Sequence, residues 1–463
     1  MRSAKSITYK SWSRCFRITF FSILSISSVL VSEAQDNSPY SRYGLGNLFP
    51  QSNVSTRAMG GITAGYADVI SVNFANPASY SQFQAFKEAH GNRLQSGRVV
   101  LDVGIDFANR SLVEPNTPNK FTSSNALFSY LQVGLPIRKN WGLSFGIRPL
   151  TRVSYKINQT ELLYDPNTHL PIDSALTQYE GSGGGYLPTI GTGFAIGNFS
   201  LGANFGYLFG SKDISTRRNI INSLDTLSYN ASDHSINTSF GNLYFDAGVQ
   251  YKIPINKTTD LRLGFSGNIR QKIKATQDIL RQTYYRGTSG EELRLDSVYE
   301  KSGVGGEIVY PASYKAGFVI QHTNTDFSGW LLGADFSQSK WSQYRFFGEQ
   351  DSVQDSWQIS VGGQFSPKSG TNYFSRVAYR FGFFTGKDYV KVQNDLPVVG
   401  GSLGMALPIG NHNPSSRGQF TVVNVSMEYA KRGNNSSPLK ENVFRFSLGF
   451  NLTDLWFGKK KYD

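Results

Sequence analysis

Most of the chain after residue 97 alternates between apolar and polar positions with a period of two. In the last such segment the apolar positions are Phe444, Phe446, Leu448, Phe450 and Leu452, and the polar or small positions are Arg445, Ser447, Gly449, Asn451 and Thr453. Successive side chains of a strand point to opposite faces, so this period predicts strands with one apolar face. The pattern predicts about fourteen strands. They lie near residues 98–111, 122–136, 140–156, 186–196, 198–211, 235–252, 258–276, 308–321, 327–340, 355–366, 372–386, 398–409, 417–431 and 441–455.

The connections between these strands alternate in length. Three of them are long and polar, at residues 157–185, 212–234 and 277–307, and are predicted to be loops. The intervening ones are short, for example 138–140, 197–198 and 254–259. Short turns on one side and long loops on the other are typical of an outer-membrane barrel, with the short turns in the periplasm. The predicted fold is therefore an all-β transmembrane antiparallel barrel of about 14 strands, spanning residues 98–457. A soluble barrel or propeller is the alternative.

The alternation also predicts which residues face the interior. In a barrel that spans lipid the apolar set faces outward, so the polar set lines the lumen. The expected charged lumen residues are Asp102, Asp106, Asp246, Arg262, Arg270, Asp335, Arg376, Arg380 and Arg445. Most are expected to pair across the lumen, because an unpaired buried charge is costly. Arg376, Arg380 and Arg445 are candidates for holding an anionic ligand headgroup.

The segment that precedes the strands is different in kind. Residues 57–80, RAMGGITAGYADVISVNFANPASY, are rich in Gly and Ala and low in charge. Small residues allow a backbone to pack closely in a confined space. Pro77 cannot donate to a sheet ladder, which keeps the segment out of the wall. We therefore expect residues 35–97 to form a periplasmic and plug segment, with residues 35–51 as an exposed lead-in.

Residues 1–34 have the features of a signal peptide. A basic start is followed by the apolar stretch 18–31 and by small residues at the cleavage positions, Ser32 to Ala34. The only cysteine, Cys15, lies inside this peptide, so disulfides, Cys-ligated zinc and a thiol nucleophile are not expected in the mature chain. Residues 458–463 are expected to form a periplasmic tail.

Composition agrees with a barrel. Aromatic residues make up 14% of the chain, there are 47 Gly, and the mean hydropathy is −0.31. This balance suits strands that are apolar on one face only. The formal net charge is +13, and removal of residues 1–34 takes away five cations and one acid, which leaves about +9. The charges are scattered and form no basic helix or stripe, so no nucleic-acid partner is expected.

The tripeptide Asn76-Pro77-Ala78 and the residues that precede it connect the small-residue segment to a known family. Residues 57–61 (RAMGG), Ala67-Asp68 and 73–80 (NFANPASY) resemble the N-terminal plug of the FadL-type family of outer-membrane transporters of long-chain fatty acids and other hydrophobic molecules. The resemblance implies a fourteen-stranded barrel and a hatch that blocks the lumen. It implies a gate at Asn76, Pro77 and Ala78, and we add Phe74, Gly60 and Gly61 from the same stretch as candidate ligand or gate residues.

The end of the chain departs from that family. Residues 455–463 (LWFGKKKYD) run past the last strand and resemble the basic, Asp-terminated ends of Bacteroidetes outer-membrane barrels. That lineage also uses FadL-like barrels as non-transporting partners, such as the PorV-like subunits of secretion machinery. The sequence therefore favours one function and leaves an alternative open. The favoured one is a passive channel for a hydrophobic or amphiphilic small molecule, long-chain fatty acid-like and gated by the plug. The other is an accessory or structural subunit of an outer-membrane secretion or assembly complex.

An enzyme is not expected. The five histidines are His90, His169, His234, His322 and His412, and they are predicted to lie in connections, where such residues are usually solvated. The chain has no GxSxG nucleophile elbow, and residues 182–185 (SGGG) lack the Lys-Ser/Thr of a phosphate loop. No metal or cofactor is expected. The expected partners are outer-membrane lipid, a hydrophobic small-molecule ligand and an outer-membrane protein.

Overall fold

The main feature of the computed structural model is one antiparallel sheet that closes on itself. The structure describes residues 37–87, 94–115, 120–165, 167–221, 230–286, 291–409 and 419–456. The strands that form the wall are β3 (Leu94–Val113), β4 (Lys120–Arg138), β5 (Trp141–Tyr164), β6 (Pro171–Ile196), β7 (Phe199–Ile221), β8 (Ala231–Pro254), β9 (Thr259–Asn268), β10 (Gln271–Arg286), β11 (Glu292–Tyr310), β12 (Ser313–Thr323), β13 (Gly329–Ser339), β14 (Arg345–Phe346), β15 (Ser356–Ser366), β16 (Ala378–Val392), β17 (Asn394–Ile409), β18 (Phe420–Arg432) and β19 (Lys440–Trp456). Pairing of β19 with β3 closes the barrel.

The wall has fourteen strand positions. β9 and β10 are two halves of one interrupted strand, because both pair with β8, and β11 and β12 form the next interrupted strand. β14 is a two-residue strand that pairs with β11 after β13 has ended. The predicted antiparallel barrel of fourteen strands is therefore confirmed, and every predicted strand overlaps a strand of the wall.

The three long polar connections were predicted wrongly. Most of residues 157–185, 212–234 and 277–307 are strand, because β5 to β8, β10 and β11 continue far beyond the apolar part of the wall. In these extensions apolar and polar residues occur on both faces, as at Leu162 and Leu163 of β5, so they lack the one-sided apolar pattern by which the sequence marks a strand. We call this end of the barrel the long-strand end. The opposite end, with the turns at residues 139–140, 197–198, 255–258 and 324–328, is the short-turn end.

The two faces of the wall differ in polarity. Large apolar side chains of the outward face are exposed, among them Phe107, Phe145, Phe205, Phe381 and Phe444. The inward positions between them are polar or small and are buried, as at Asp106 and Ser447. This is the polarity that a barrel in lipid requires. Within the part of the chain that the structure describes, no helix is long and apolar enough to cross a membrane.

Residues 37–83, which we call the inner segment, run through the lumen from one end to the other. It contains β1 (Asn47–Leu48), the single helical turn α1 (Val54–Arg57) and short 3-10 helices at Pro39–Arg42 and Pro77–Gln82, and β2 (Ala85–Lys87) follows it. At the long-strand end the Ser38 hydroxyl donates to the Glu441 carboxylate at 2.5 Å. At the short-turn end Tyr80 packs against the wall beside Gly142.

The expected exposed lead-in at residues 35–51 is therefore wrong over its described part. Ser38, Tyr40, Ser41 and Leu45 are buried. These residues add to the edge of β5, where the Ser38 amide donates to the Ser154 carbonyl at 2.9 Å and β1 pairs with Thr151–Arg152. The expected signal peptide and the tail at 458–463 lie outside the described residues.

The wall pairing is weakened near two prolines. The register between β5 and β6 shifts beside Pro149, and the ladder between β6 and β7 omits Leu187 and Pro188. Pairing between β4 and β5 also ends at Leu131 and Ile147, although both strands continue. Proline removes a ladder donor, which accounts for the first two irregularities.

Candidate functional site

Two rows of wall glycines form the contact surface for the inner segment. The first glycine row is Gly142, Gly193, Gly202 and Gly248, which are direct partners on the four consecutive strands β5 to β8. A Cβ on Gly202 would lie 2.3 Å from the carbonyl carbon of Pro77, and one on Gly248 would lie 2.0 Å from the Asn76 side-chain oxygen. Only a residue without a side chain permits this approach.

The second glycine row supports the other side of the lumen. It consists of Gly333, Gly362 and Gly382, which are direct partners on β13, β15 and β16. A Cβ on Gly362 would lie 2.1 Å from the Met59 carbonyl oxygen, and one on Gly382 would lie 1.9 Å from the Gly60 amide nitrogen. The wall is thus shaped to the backbone of the inner segment on two sides.

A buried ion pair fastens α1 to the wall. The Arg57 guanidinium donates to both carboxylate oxygens of Asp106 at 2.5 and 2.6 Å, and both side chains are 2% exposed. Arg57 also donates to the Ser52 carbonyl at 2.9 Å and to the Ser129 hydroxyl at 3.1 Å. This geometry satisfies the carboxylate by two charge-assisted hydrogen bonds.

Other lumen carboxylates accept hydrogen bonds from the backbone of the inner segment. One oxygen of Asp335 accepts from the Thr63 and Ala64 amides at 2.6 and 2.9 Å. Asp102 accepts from the Val72 amide at 3.0 Å. Because these amides belong to irregular backbone, the wall supplies the acceptors that a sheet or helix would otherwise provide.

The candidate gate residues occupy two separate places. Asn76 and Ala78 are fully buried, Pro77 is buried beside them, and the Asn76 side chain caps the 3-10 helix by accepting from the Ala78 amide. These residues face the first glycine row. Phe74, which is 2% exposed, packs against Tyr130, with 5.3 Å between the ring centres.

Gly60 and Gly61 follow α1 with φ of 69° and 83°, a conformation that favours glycine. Gly60 meets β15 and β16, near the second glycine row. The structure therefore does not bring all six candidates into one gate.

A cavity of about 390 Å³ lies between the inner segment and strands of the wall. Its charged lining residues are Arg57, Arg110, Lys315, Lys387, Arg432, Arg445, Asp388, Glu428 and Glu441. Cations outnumber acids by six to three in this lining. Asn76, Pro77 and Ala78 are not among the described residues that line it. The lining also contains the apolar residues Leu48, Phe49, Trp357, Phe384 and Val443, so the cavity is mixed in polarity.

The three candidate headgroup arginines are not together. Arg380 is buried and donates to the Gln364 and Asn424 side chains at 2.8 and 2.6 Å. Arg445 lines the cavity and donates to Glu428 at 2.5 Å. The expected lumen position of Arg376 is wrong, because this residue is exposed in the turn before β16, where its guanidinium lies 5.5 Å from the centre of the Tyr373 ring.

Arg270, another expected lumen residue, is also placed elsewhere. It is exposed at the break between β9 and β10. Both lumen positions were predicted wrongly for the same reason. The alternation of inward and outward residues was continued across residues that lie outside the strands of the wall.

An aromatic cluster holds the inner segment at the long-strand end. Trp341 is 1% exposed and lies 4.4 Å from the Tyr389 ring, and the Tyr389 hydroxyl donates to the Gly46 carbonyl at 2.7 Å. Burial raises the pKa of Tyr40, in the inner segment, to about 12. The Lys212 ammonium donates to carbonyls of residues 42 and 44 at 2.8 and 2.7 Å.

The histidines form no catalytic arrangement in the part of the chain that is described. His322 contacts the Thr259 hydroxyl at 2.9 Å, His234 lies near Arg281, and His169 is exposed. His90 and His412 lie outside the described residues. Among the described residues no group of three or more His, Cys, Asp or Glu could hold a metal ion.

Sequence reasoning missed the two glycine rows. Their signal was present, because the glycines recur on the polar set of the strands, where a larger side chain was expected. What the sequence did not show is that glycines between 9 and 51 residues apart become direct partners at the height of the inner segment.

Several solved structures have a similar course of the chain. The CymD monoaromatic hydrocarbon channel is 15% identical with a TM-score of 0.49, over 88% of this chain and 98% of its own. A Pseudomonas aeruginosa FadL homologue is 13% identical with a TM-score of 0.49, over 90% and 100%. The Ralstonia pickettii toluene transporter TbuX is 11% identical with a TM-score of 0.46, over 87% and 98%. These similarities are too low to support a conclusion about this chain.

No curated protein sequence matches the chain. One family model does match, and it covers the barrel, the inner segment and part of the expected signal peptide. Because the match extends over residues 16–463, the chain belongs to the BamG family.

Proposed function

We propose that this protein is an outer-membrane barrel whose lumen is closed by its own inner segment, and that it works as a structural or accessory subunit of an outer-membrane secretion or assembly complex. The outward apolar face and the expected signal peptide support the location. The observation that carries the proposal is the fit of the inner segment against the two glycine rows.

The contacts of the inner segment favour a fixed closure. Withdrawing it would separate Arg57 from Asp106 and break the two charge-assisted hydrogen bonds that join them. It would also free the amides bound by Asp335 and Asp102, at about 1.5–3 kcal/mol for each hydrogen bond to a charged group. Such a segment is suited to act as a permanent core of the barrel rather than as a gate.

The second candidate function is the passive channel for a hydrophobic or amphiphilic molecule, with the inner segment as its gate. One observation favours it: the wall is unpaired between β4 and β5 above Leu131 and Ile147, and a small pocket lies there against residues 47–50 of the inner segment. Residues 47–50 also line the 390 Å³ cavity. Arg445 of that cavity is the headgroup candidate that this function retains.

A disulfide that locks the inner segment separates the two functions. The Ser81 hydroxyl, in the inner segment, lies 3.1 Å from the Ser200 hydroxyl on β7, close enough for a disulfide after replacement of both by cysteine. The mature chain is expected to lack cysteine, so the S81C/S200C pair would be unique. The S81C single variant is the matched control.

The accessory function predicts that the oxidised S81C/S200C protein supports growth as well as the reduced one and still co-purifies with another outer-membrane protein in fixed stoichiometry. The channel predicts that oxidation stops uptake of a labelled long-chain fatty acid and that reductant restores it. Oxidation-sensitive uptake without a co-purifying protein would refute the accessory function.

A further inference from the structure

Three neighbouring turns at the short-turn end each carry a large apolar side chain at the tip. Phe327 is 86% exposed, Phe374 is 63% exposed and Ile255 is 58% exposed. The turns that bear the two phenylalanines start side by side, since Gly329 of β13 pairs directly with Ser366 of β15. The tips therefore share one sector of the barrel rim.

The two phenylalanine turns are stiffened by their own side chains. In the first, the Ser328 hydroxyl donates to the Asp326 carboxylate at 2.6 Å and accepts from the Asn324 side chain at 3.0 Å. Phe327 has a φ of 62°, a conformation that costs a bulky residue about 1–2 kcal/mol. The chain thus holds an exposed aromatic ring in a strained but well-bonded position.

The second turn is fastened in the same way. The Asn372 side chain accepts from the Phe374 amide at 3.2 Å, the Ser375 hydroxyl accepts from the Gly370 amide at 2.9 Å, and the Tyr379 hydroxyl donates to the Phe374 carbonyl at 3.2 Å. Rigid aromatic tips lose little conformational entropy on binding, which is what an interface anchor requires.

The charge of this sector is positive. Lys257, Lys368 and Arg376 are exposed in the three turns, and Asp326 is the acid beside them. Arg376, expected in the lumen, thus belongs to this surface. The next two described turns along the rim are polar at their tips, with Asn198 and Asn140 exposed.

We propose that the surface formed by Ile255, Phe327, Phe374, Lys368 and Arg376 docks a partner protein that has apolar pockets rimmed by carboxylates. This inference deepens the proposed accessory function and rests on it. Phospholipid is the less suitable occupant, because a bilayer surrounds the barrel and would meet every turn of the rim alike. Among the described turns, the apolar tips lie on three consecutive turns, whereas the next two turns have the polar tips Asn198 and Asn140.

Photo-crosslinking in intact cells tests the docking surface. A benzophenone amino acid is placed at Phe327 or Phe374, and at Asn140 or Asn198 as matched controls on the same rim. We expect both phenylalanine positions to crosslink to one and the same protein and the two controls to crosslink to it at background level. Crosslinks to phospholipid alone, to a second copy of this chain, equally from all four positions, or from none would overturn the proposal.

Surface variants then test the chemistry. Phe327→Ser with Phe374→Ser should weaken co-purification of the crosslinked protein by about thirtyfold or more, as loss of an aromatic anchor does. Arg376→Glu should also weaken co-purification, and the loss should be larger at low salt than at high salt because salt screens the charge. Heat-modifiable migration on gels shows that the barrel is folded.

If the same partner co-purifies at wild-type yield with these variants, the docking surface is wrong while the accessory function stands. If no protein co-purifies with the wild-type barrel, the accessory function itself fails.

Discussion

Breaking the Arg57–Asp106 pair measures how firmly the inner segment is held. Arg57→Met keeps the length and the apolar stem of the side chain but removes the guanidinium. Asp106, 1% exposed, then keeps its charge without the two hydrogen bonds at 2.5 and 2.6 Å. Ser52 and Ser129 lose a donor as well.

The expected loss is about 3–5 kcal/mol of unfolding free energy, because one charge is left uncompensated in a buried site. Replacing both partners, Arg57→Met with Asp106→Leu, should recover most of that loss, since a buried ion pair exchanged for apolar residues is often neutral. The two single changes should therefore be strongly non-additive, with a coupling energy of about 2 kcal/mol or more.

The assay is guanidinium unfolding of the purified barrel, followed by tryptophan fluorescence, with free energies from linear extrapolation. Arg218→Met is the control, because its pair with Glu161 is nearly half exposed and should contribute about 0–1 kcal/mol. The reasoning is refuted if Arg57→Met costs no more than the control, or if the double variant loses the sum of the single losses.

Two further perturbations act on the same closure. Gly382→Ala places a Cβ 1.9 Å from the Gly60 amide nitrogen, so we expect it to lower the free energy of unfolding by about 1–3 kcal/mol or more in the same assay. Gly305→Ala, with open space at its Cβ, should leave the free energy of unfolding unchanged. Equal effects of the two changes would contradict the packing argument. Lys212→Met removes two hydrogen bonds to carbonyls of the inner segment, so amide hydrogen exchange over residues 40–46 should become faster while exchange in the wall below is unchanged. Unaltered protection of residues 40–46 would show that the aromatic cluster alone holds them.

The strands and their faces were readable from the sequence because both depend on near neighbours. The alternation at residues 444–453 is enough to assign β19 and to point Ser447 and Gly449 inward. The same argument failed at Arg376 and Arg270, because both residues lie outside the strands and alternation between two faces applies only within a sheet. It also failed for the extensions beyond the apolar part of the wall, because strands that mix polar and apolar residues on both faces carry no one-sided pattern.

By itself, the sequence determined the barrel class, the number of strands and the presence of a small-residue segment before them. Only the tertiary structure decided where that segment lies and what holds it. Ser38 meets Glu441 across 403 residues, Arg57 meets Asp106 across 49, and the glycine rows exist only once neighbouring strands are in register. The alternation of residues along one strand predicts whether a side chain faces the lumen or the outside. Which residues of distant strands become neighbours depends on the register in which the sheet closes into a barrel.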